Sequence, residues 1–532
     1  MSSQISFRGQ AVGYWQGASN EVLWGQSQIH SALRQLDQAY TWVGSQGCIG
    51  LAPGGSLASQ GDLAALAPCP ALPPARLGKA EFCLDHNVIY PYFAGSMANG
   101  ISSARMVIAL GKEKILSSFG AAGLLPQQIE EALDQIQPAL PEGRFASNLI
   151  HSPNEPALEQ EAVKLYLRRG VRLLEASAYL DLTPALVEYR VQGAYRDAQG
   201  QVQSLNKIIA KVSRKEVATR FMSPPAAKFI QVLLEQGRIT RAQAQLAETL
   251  PMADDITAEA DSGGHTDNRP MLALLPSILA LRDELQQKYP SSQPIRVGAG
   301  GGIGSPEAAL ATFMLGADYI VTGSINQACL ESGTSNHVRS LLAQADLADV
   351  MMAPSSDMFE MGVKLQVLKR GTLFGMRAAK LYELYTSHNS IDEIPQPERA
   401  KLESQIFQRP LEQVWNDCLT FFTQRDPATI EKAQSNPKRK MALIFRWYLG
   451  LSSRWANAHT AGREMDYQIW CGPAIGSFND WVRGSRFAAP EARQVALIAH
   501  ELMQSSAYLA RLQTAKLQGF VLPPSFFNVK PQ

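Results

Sequence analysis

The fold is decided by the stretch VGAGGGIGSPEAA at residues 297–309. An apolar run enters a loop with five glycines in the seven residues 298–304, and Ser305 and Pro306 suit the N-cap and first position of a following helix. Glycines let backbone N–H groups approach an anion, and a helix N-terminus favours negative charge, so the loop predicts a phosphate site. The spacing is neither a dinucleotide fingerprint nor a P-loop. A plain strand-to-helix turn is the alternative, although it needs fewer glycines.

The same change from strand to helix recurs along the middle of the chain. Short apolar runs alternate with amphipathic helical stretches, which predicts a parallel sheet of the α/β class. About eight such units favour a closed (β/α)₈ TIM barrel over an open, doubly wound sheet. The predicted strands are residues 88–94, 114–119, 144–150, 171–177, 207–213, 255–260, 294–300 and 318–324.

The chain of 532 residues is longer than one barrel, so we predict flanking parts. Residues 1–84 are expected to form an N-terminal extension that ends in an extended linker or a rigid surface strap, because prolines are dense between residues 68 and 74. Residues 85–355 are expected to form the barrel. In residues 356–532 the strand pattern fades, which predicts a helical C-terminal domain packed on the barrel.

Composition excludes several classes of function. The net charge is +1, which provides no basic field for binding nucleic acid. The N-terminus is polar and the longest apolar stretch, 271–281, is too short to span a bilayer, so we expect no leader and no membrane segment. The six cysteines form no CxxC pair, and no His/Cys cluster has metal-ligand spacing. We therefore expect a cytoplasmic protein without a metal site.

Two further loops follow predicted strands. Gly323 and Ser324 come just after the last strand, and TIM barrels commonly hold phosphate with the loops after strands seven and eight. Gly263 and Gly264 follow the sixth strand, where they permit close approach of a ligand and place His265 at the barrel mouth. A histidine with a pKa of about 6.5 suits proton transfer or hydrogen bonding to a reacting oxygen. The other histidines lack such a setting.

Polar residues also end the third and fifth predicted strands. Asn148 could bind the heteroatom edge of a ring system there, and Lys211 could stabilise negative charge on it. A loop cap and a surface charge are the ordinary explanations for these two residue types. Because Lys211 lies inside the apolar run IIAKVS, it must face the mouth or find a partner.

Several of these motifs resemble a known family. SGGH after strand six, GAGGGI after strand seven and VTGS at strand eight are similar to the nitronate monooxygenase and FMN-dependent enoyl-reductase family over roughly residues 85–380. The segments 90–123, 353–385 and 467–484 look like the enoyl-reductase subunit of polyunsaturated-fatty-acid synthases, with relatives that act in trans on polyketide synthases. In that subfamily the resemblance spans nearly the whole chain.

The resemblance implies FMN as bound cofactor, NADPH as hydride source, and a trans-2-enoyl group on an acyl carrier protein as substrate. Residues 85–355 would be the FMN-binding barrel, and residues 356–532 would serve the substrate and its carrier protein. His265 matches the active-site histidine, which either donates a proton or binds the thioester oxygen. The matched cofactor-binding residues are Met97, Asn148, Lys211, Gly263, Gly264, Gly300, Gly301, Gly302, Gly323 and Ser324.

Two departures from the family pattern bear on the substrate. Ser96 precedes Met97 where nitronate oxidisers typically have proline, and TDNRP follows His265 in place of the commoner residues. These differences argue against a nitronate substrate more than against the flavin. Two alternatives are kept: a nitronate monooxygenase-type flavin oxidase, and a non-catalytic scaffold subunit of a synthase. A homodimer is also considered.

Two sets of C-terminal residues could contact an acyl substrate or its carrier. An adaptable apolar lining could come from Met351, Met352, Met358, Phe359, Met361 and Phe374. Contact with an acidic carrier protein could come from Lys364, Lys369, Arg370, Arg377, Lys438, Arg439 and Lys440. Core packing and a solvated helix face are the ordinary alternatives.

Overall fold

A computed structural model of the chain describes residues 5–142, 145–153, 156–289 and 294–531. Arg144, which begins the predicted third barrel strand, lies outside the described residues. The strands are, in chain order, β1 (Ser6–Phe7), β2 (Gly13–Gln16), β3 (Tyr40–Ser45), β4 (Cys48–Pro53), β5 (Ser56–Ala58), β6 (Leu63–Cys69), β7 (Tyr92–Ala94), β8 (Leu116–Phe119), β9 (Ala146–Ile150), β10 (Leu173–Ser177), β11 (Ala194–Arg196), β12 (Val202–Ser204), β13 (Lys207–Val212), β14 (Asp255–Glu259), β15 (Gly264–His265), β16 (Arg296–Gly300), β17 (Ile320–Thr322), β18 (Val350–Pro354), β19 (Lys364–Leu368) and β20 (Phe520–Val521).

The α-helices fill the spaces between barrel strands and most of the C-terminal part. They are α1 (Gln26–Leu33), α2 (Ala80–His86), α3 (Ala104–Lys112), α4 (Pro126–Ala139), α5 (Pro156–Arg169), α6 (Pro184–Gln192), α7 (Lys215–Phe221), α8 (Ala227–Glu235), α9 (Arg241–Ala247), α10 (Met271–Lys288), α11 (Pro306–Met314), α12 (Ser324–Gln327), α13 (Asn336–Ala343), α14 (Phe374–Ser387), α15 (Gln396–Lys401), α16 (Leu411–Arg425), α17 (Pro427–Gln434), α18 (Pro437–Ala458), α19 (Ala474–Val482) and α20 (Val495–Leu517).

The TIM barrel predicted from the apolar runs is confirmed. Eight parallel strands close in the order β7-β8-β9-β10-β13-β14-β16-β17, and β17 pairs back onto β7. Each of these strands lies within one of the predicted runs. Strands such as β13 and β16 are almost wholly buried because helices cover the barrel outside and side chains fill it inside. The carboxyl ends of all eight strands therefore meet at one mouth.

The N-terminal extension folds into an antiparallel sheet that its sequence did not predict. The sheet has the strand order β4-β3-β6-β2-β5, and Trp42 of β3 is fully buried. Pro68 lies inside β6, opposite Thr41. The proline is tolerated because β2 pairs with β6 only at Leu63–Ala65, so the other edge of β6 is open beyond that point.

A buried arginine joins this sheet to the C-terminal helix α20. Arg511 is 3% exposed, and its guanidinium donates hydrogen bonds to main-chain carbonyls that the N-terminal region supplies. These acceptors are the carbonyls of Leu33, Gln35, Leu36, Gln38 and Pro70. The two ends of the chain are thus held together on one side of the barrel.

The C-terminal region is mainly helical, as predicted, but strand structure continues past Pro354. Strand β19 returns along β18 in antiparallel register, and β15 joins β19 on its other edge. Gly362, at a φ of +70°, ends the short turn before β19. The local pattern hid this strand because its pairing partners come from the connection before it and from a distant barrel loop. The small sheet lies above the barrel mouth and carries His265.

Candidate active site

One cavity occupies the barrel mouth and extends under the C-terminal helices. Its volume is about 1350 Å³, which exceeds the ~300–1,000 Å³ of an ordinary small-molecule site and leaves room for two ligands. Every catalytic or cofactor-binding residue predicted from the sequence lines this cavity. These residues are Met97, Asn148, Lys211, Gly263, Gly264, His265, Gly300, Gly301, Gly302, Gly323 and Ser324.

The glycine loops after β16 and β17 present free backbone donors. Gly301 and Gly302 adopt φ of +102° and +74°, a region that glycine accepts without strain. A side chain at Gly301 would meet the backbone of Ala260 at 2.7 Å, whereas one at Gly302 or Gly323 would meet nothing within 4 Å. Within the described residues, the N–H groups of Gly301, Gly302, Gly323 and Ser324 donate to no protein acceptor. Such donors around open space fit the phosphate of a nucleotide cofactor.

Asn148 is held rigidly in β9. Its side-chain Nδ2 donates to the main-chain oxygen of Glu175 at 3.0 Å and to Ser177 Oγ at 2.8 Å. Both amide hydrogens are therefore used by the neighbouring strand β10. The Oδ1 atom is the part of the amide left for a ligand, so Asn148 can accept a hydrogen bond from a ring N–H group.

Lys211 is paired inside the barrel mouth rather than exposed at the surface. Its Nζ lies 3.1 Å from Glu259 Oε1 and 3.8 Å from Glu175 Oε1. Burial disfavours the ammonium, but the two carboxylates outweigh burial and raise the pKa of Lys211. Lys211 thus favours its charged form at the barrel mouth, where it lines the cavity.

Glu175 is a site residue that the sequence analysis missed. It is completely buried in β10, and its Oε2 accepts a hydrogen bond from the N–H of Ser96 at 2.8 Å. The carboxylate therefore joins the loop that carries Met97 to the Lys211 ammonium. A signal was present, because a glutamate inside the apolar run VRLLEAS requires a partner.

His265 faces a carboxylate from the C-terminal region. Its Nε2 lies 3.1 Å from Asp357 Oδ1, and the two side chains are 32% and 47% exposed. Burial favours the neutral imidazole, but the hydrogen bond and charge of Asp357, together with Glu259, raise the pKa of His265 despite the opposing charge of Lys211. The imidazole therefore keeps its proton to higher pH than an isolated histidine.

The loop after β14, which contains β15 and His265, is fixed by contacts from outside the barrel. Gln366 of β19 donates to Asp261 Oδ1 at 2.7 Å and to the carbonyl of Ser262 at 2.8 Å. Gly263 lies against Cys471, whose Cα would be 2.7 Å from any added side chain. Ser324 Oγ accepts a hydrogen bond from the N–H of Gly472 at 2.9 Å. The C-terminal region thus completes the site, which local sequence patterns could not indicate.

The C-terminal residues considered for substrate contact fall into two groups. Those that line the cavity are Met358, Met361, Lys364 and Arg439. Several others are held elsewhere: Phe359 and Phe374 are buried in a hydrophobic cluster, Arg377 pairs with Asp466, and Lys438 donates to main-chain carbonyls. The basic residues thus do not act as one charged face.

Metal ligands and membrane spans were also sought in the described ranges. No three His, Cys, Asp or Glu side chains among these residues are placed to hold a metal ion. In the same part of the chain, no helix combines the length and apolarity needed to cross a membrane.

Relatives of known sequence cover most of the chain. Residues 388–467 match a family model described as acyl-carrier-protein S-malonyltransferase, inserted helical domain. One component of the polyunsaturated fatty acid synthase of Thraustochytrium sp. is 49% identical over 448 residues, which are 83% of this chain and 30% of that protein. Polyketide biosynthesis protein PksE of Bacillus subtilis is 46% identical over 434 residues, which are 81% of this chain and 56% of that protein. The chain therefore spans about a third to a half of these relatives' lengths.

A solved structure matches both the barrel and the C-terminal region. It is the enoyl reductase domain of MlnA from the macrolactin biosynthesis cluster of Bacillus amyloliquefaciens, with a TM-score of 0.79 and 39% sequence identity. The match covers 83% of this chain and 100% of that domain. Fold and site together define a (β/α)₈-barrel protein with a glycine-lined mouth completed by a helical region. The chain belongs to the nitronate monooxygenase and FMN-dependent enoyl-reductase family, which confirms the resemblance found in its sequence.

Proposed function

We propose that this protein is an FMN-dependent enoyl reductase that uses NADPH to reduce trans-2-enoyl thioesters on an acyl carrier protein, in polyunsaturated fatty acid or polyketide synthesis. The observation that carries the proposal is the convergence of the candidate residues on one cavity. They come from the ends of six barrel strands, β7, β9, β13, β14, β16 and β17. Backbone N–H donors, the partly buried Lys211 ammonium and the His265 imidazole therefore line the same space.

The residues present fit FMN. The N–H groups of Gly301, Gly302 and Gly323 would hold its phosphate, while Asn148 Oδ1 and the Lys211 ammonium would contact the polar edge of its ring. Bound FMN would supply hydride chemistry, accepting a hydride from NADPH and passing it to the β-carbon of the enoyl thioester. The charge that Glu175 and Glu259 maintain on Lys211 would stabilise negative charge on the ring.

His265 is the residue that would handle the proton. Its Nε2 is engaged by Asp357, so Nδ1 is left for the substrate. A protonated His265 would either donate the proton that the α-carbon requires or hold the thioester oxygen as negative charge develops on it. Both roles need the same protonated ring in the same place.

The names of the relatives support the choice of substrate. The solved match is an enoyl reductase domain, and the sequence relatives are a component of a polyunsaturated fatty acid synthase and a polyketide biosynthesis protein. The segment that contains α16, α17 and α18 matches a helical domain of an enzyme that acts with an acyl carrier protein. A thioester on a carrier protein is therefore the substrate class that we propose.

The test follows NADPH oxidation and oxygen uptake by the purified protein with crotonyl-pantetheine. We expect a yellow protein that oxidises NADPH only when the enoyl thioester is present, without stoichiometric oxygen uptake. Oxygen uptake with an alkyl nitronate, together with indifference to the enoyl thioester, would replace the proposal with a flavin oxidase. A colourless protein that cannot be reconstituted with FMN would leave only the scaffold alternative.

A further inference from the structure

The outer part of the cavity is a groove along one face of α18. Arg439, Leu443, Trp447 and Gly450 line it at helical spacings of three or four residues. At the inner end, Ser453 Oγ accepts a hydrogen bond at 3.1 Å from Asn99, in the loop that follows the first barrel strand. The rise of an α-helix places Arg439 about 21 Å from that inner end. The groove therefore runs from the barrel mouth to the far end of the helical region.

The walls of the groove suit an uncharged, partly apolar chain. Phe421 of α16 is 44% exposed and Met361 is 65% exposed, and both line the cavity. Large apolar side chains left open to solvent in a concave surface are typical of a ligand site. A long, thin ligand with methylene and methyl groups could cover them.

The outer end of the groove is positively charged because two basic side chains there have no acidic partner in the described parts of the chain. Arg439 lines the groove, and its buried Nε has no hydrogen-bond partner. Lys432 of α17 lines the same end and forms no ion pair in those parts. The neighbours of Arg439 behave differently, since Lys438 is bound to main-chain carbonyls and Lys440 lies over the Trp415 ring at 5.0 Å.

The acidic residues of the groove already have partners. Asp417 pairs with Arg409 at 2.8 Å, and Glu360 pairs with Arg446 at 3.2 Å. Asp426 accepts a hydrogen bond at 2.7 Å from Thr429. The hydrogen bond from Thr429 does not remove the charge of Asp426, but Lys432 and Arg439 together outweigh this one carboxylate, so an anion at the outer end would meet a net positive charge.

We propose that Lys432 and Arg439 bind the phosphate of a phosphopantetheine thioester whose arm lies in the groove and whose thioester reaches His265. The proposal rests on the proposed enoyl reductase function. The arm from phosphate to sulfur is equivalent to roughly four to five residues of extended chain, or about 13–18 Å. This is less than the ~21 Å measured along the helix, and the long Lys432 and Arg439 side chains can cover the difference. The arm has an anionic end and an uncharged, methyl-bearing body. The groove has a basic outer end and partly apolar walls, so the two match in order.

The test compares crotonyl-phosphopantetheine with crotonyl-pantetheine, which lacks the phosphate. We expect the natural protein to use the phosphorylated substrate with about tenfold higher kcat/KM, from charge-assisted hydrogen bonds to two cations. The double variant Lys432→Gln/Arg439→Gln should lose this preference through a higher KM for crotonyl-phosphopantetheine. The matched control is Lys440→Gln, a neighbouring lysine outside the groove, which should keep the preference.

The outcomes separate this inference from the proposed function. Failure to reduce any of these thioesters would overturn the proposed function. Reduction of both at equal kcat/KM, or an undiminished preference in the double variant, would overturn the phosphate site alone. The same arm occurs in CoA and on carrier proteins, so crotonyl-CoA and a crotonyl carrier protein should both lose about tenfold in the double variant. A loss confined to the carrier protein would mean that these residues contact the protein domain, which would contradict the proposal.

Discussion

The protonation of two side chains at the barrel mouth, Lys211 and His265, is influenced by different neighbours. Lys211 is enclosed by Glu259 and Glu175 and is held inside the barrel. His265 lies in the loop after β14, and its imidazole is hydrogen-bonded to Asp357, a residue 92 positions away in the chain. Because burial lowers the pKa of both groups and the neighbouring carboxylates raise it, these carboxylates favour the protonated form of each.

The pH dependence of turnover tests the role of Asp357. Asp357 raises the pKa of His265, so protonated His265 persists to higher pH and activity should fall only as pH rises through that raised pKa. In Asp357→Asn the side chain can still accept a hydrogen bond but carries no charge. The alkaline fall in kcat/KM should therefore move to lower pH, with little change under acidic conditions. The measurement is a pH profile of kcat/KM for both proteins.

A His265→Ala variant provides the control for that profile. It should retain the flavin, show much slower turnover and lack the titration that Asp357→Asn displaces. An unchanged alkaline limb in Asp357→Asn, or full activity in His265→Ala, would remove this pair from the proton chemistry.

At the scale of elements, a buried ion cluster joins β14 and β16 at the end of the barrel opposite the site. Asp255 is fully buried, with Arg296 at 2.6 Å and His86 at 2.9 Å. Burial opposes its charge, but Arg296 and His86 outweigh burial and hold the pKa of Asp255 well below its usual range. This contribution to stability is present above the unfolded-state pKa of about 4 and is lost as pH falls below it.

Removal of one partner from this cluster should destabilise the barrel strongly. Arg296→Met leaves a buried carboxylate without its main counter-charge, which typically costs about 3–5 kcal/mol. Arg168→Met is the control, because Arg168 is 63% exposed and pairs with Glu130 on the surface at 3.2 Å, where a pair contributes about 0–1 kcal/mol. Thermal denaturation should show a large loss for Arg296→Met and almost none for Arg168→Met. Equal effects would contradict a structural role for the cluster.

The sequence predicts the elements of this barrel well and its long-range pairings poorly. The eight barrel strands were found because buried parallel strands are short apolar runs separated by helices. The glycine loops were found because a cluster of glycines, visible in the sequence, is the feature that lets backbone N–H groups approach an anion. Strand β19 and Asp357 were missed because their contacts with β15 and His265, which belong to a distant barrel loop, leave no local pattern. The N-terminal sheet was missed because β6 ends where the proline-dense stretch 68–74 begins, and its pairing partners cannot be read from local sequence.

For the whole molecule, the contact between barrel and C-terminal region is tested at Gly263. A side chain there would lie 2.7 Å from Cys471 Cα, so Gly263→Ala must push the two parts aside at a cost of about 1–3 kcal/mol. We expect a lower Tm and slower turnover with unchanged far-UV circular dichroism. Gly323→Ala is the control, since its added methyl group meets nothing within 4 Å and should leave the Tm unchanged. A natural Tm in Gly263→Ala would show that the contact does not constrain the site.

The proposed flavin chemistry depends most on whether the glycine loops after β16 and β17 hold the FMN phosphate. Gly301 is a poor place to test it, because its positive φ and close backbone neighbours would disturb the fold. Gly323 is better, because its φ of −133° lies outside the left-handed region and a side chain there would meet nothing within 4 Å.

The decisive measurement is the FMN content and FMN Kd of Gly323→Asp beside Gly323→Asn. The two side chains have nearly the same size, but only aspartate places a negative charge against the phosphate. We predict that Gly323→Asn purifies yellow and that Gly323→Asp binds FMN at least about tenfold more weakly while keeping the natural Tm of its FMN-free form. Stoichiometric FMN with an unchanged Kd in Gly323→Asp would contradict the claim.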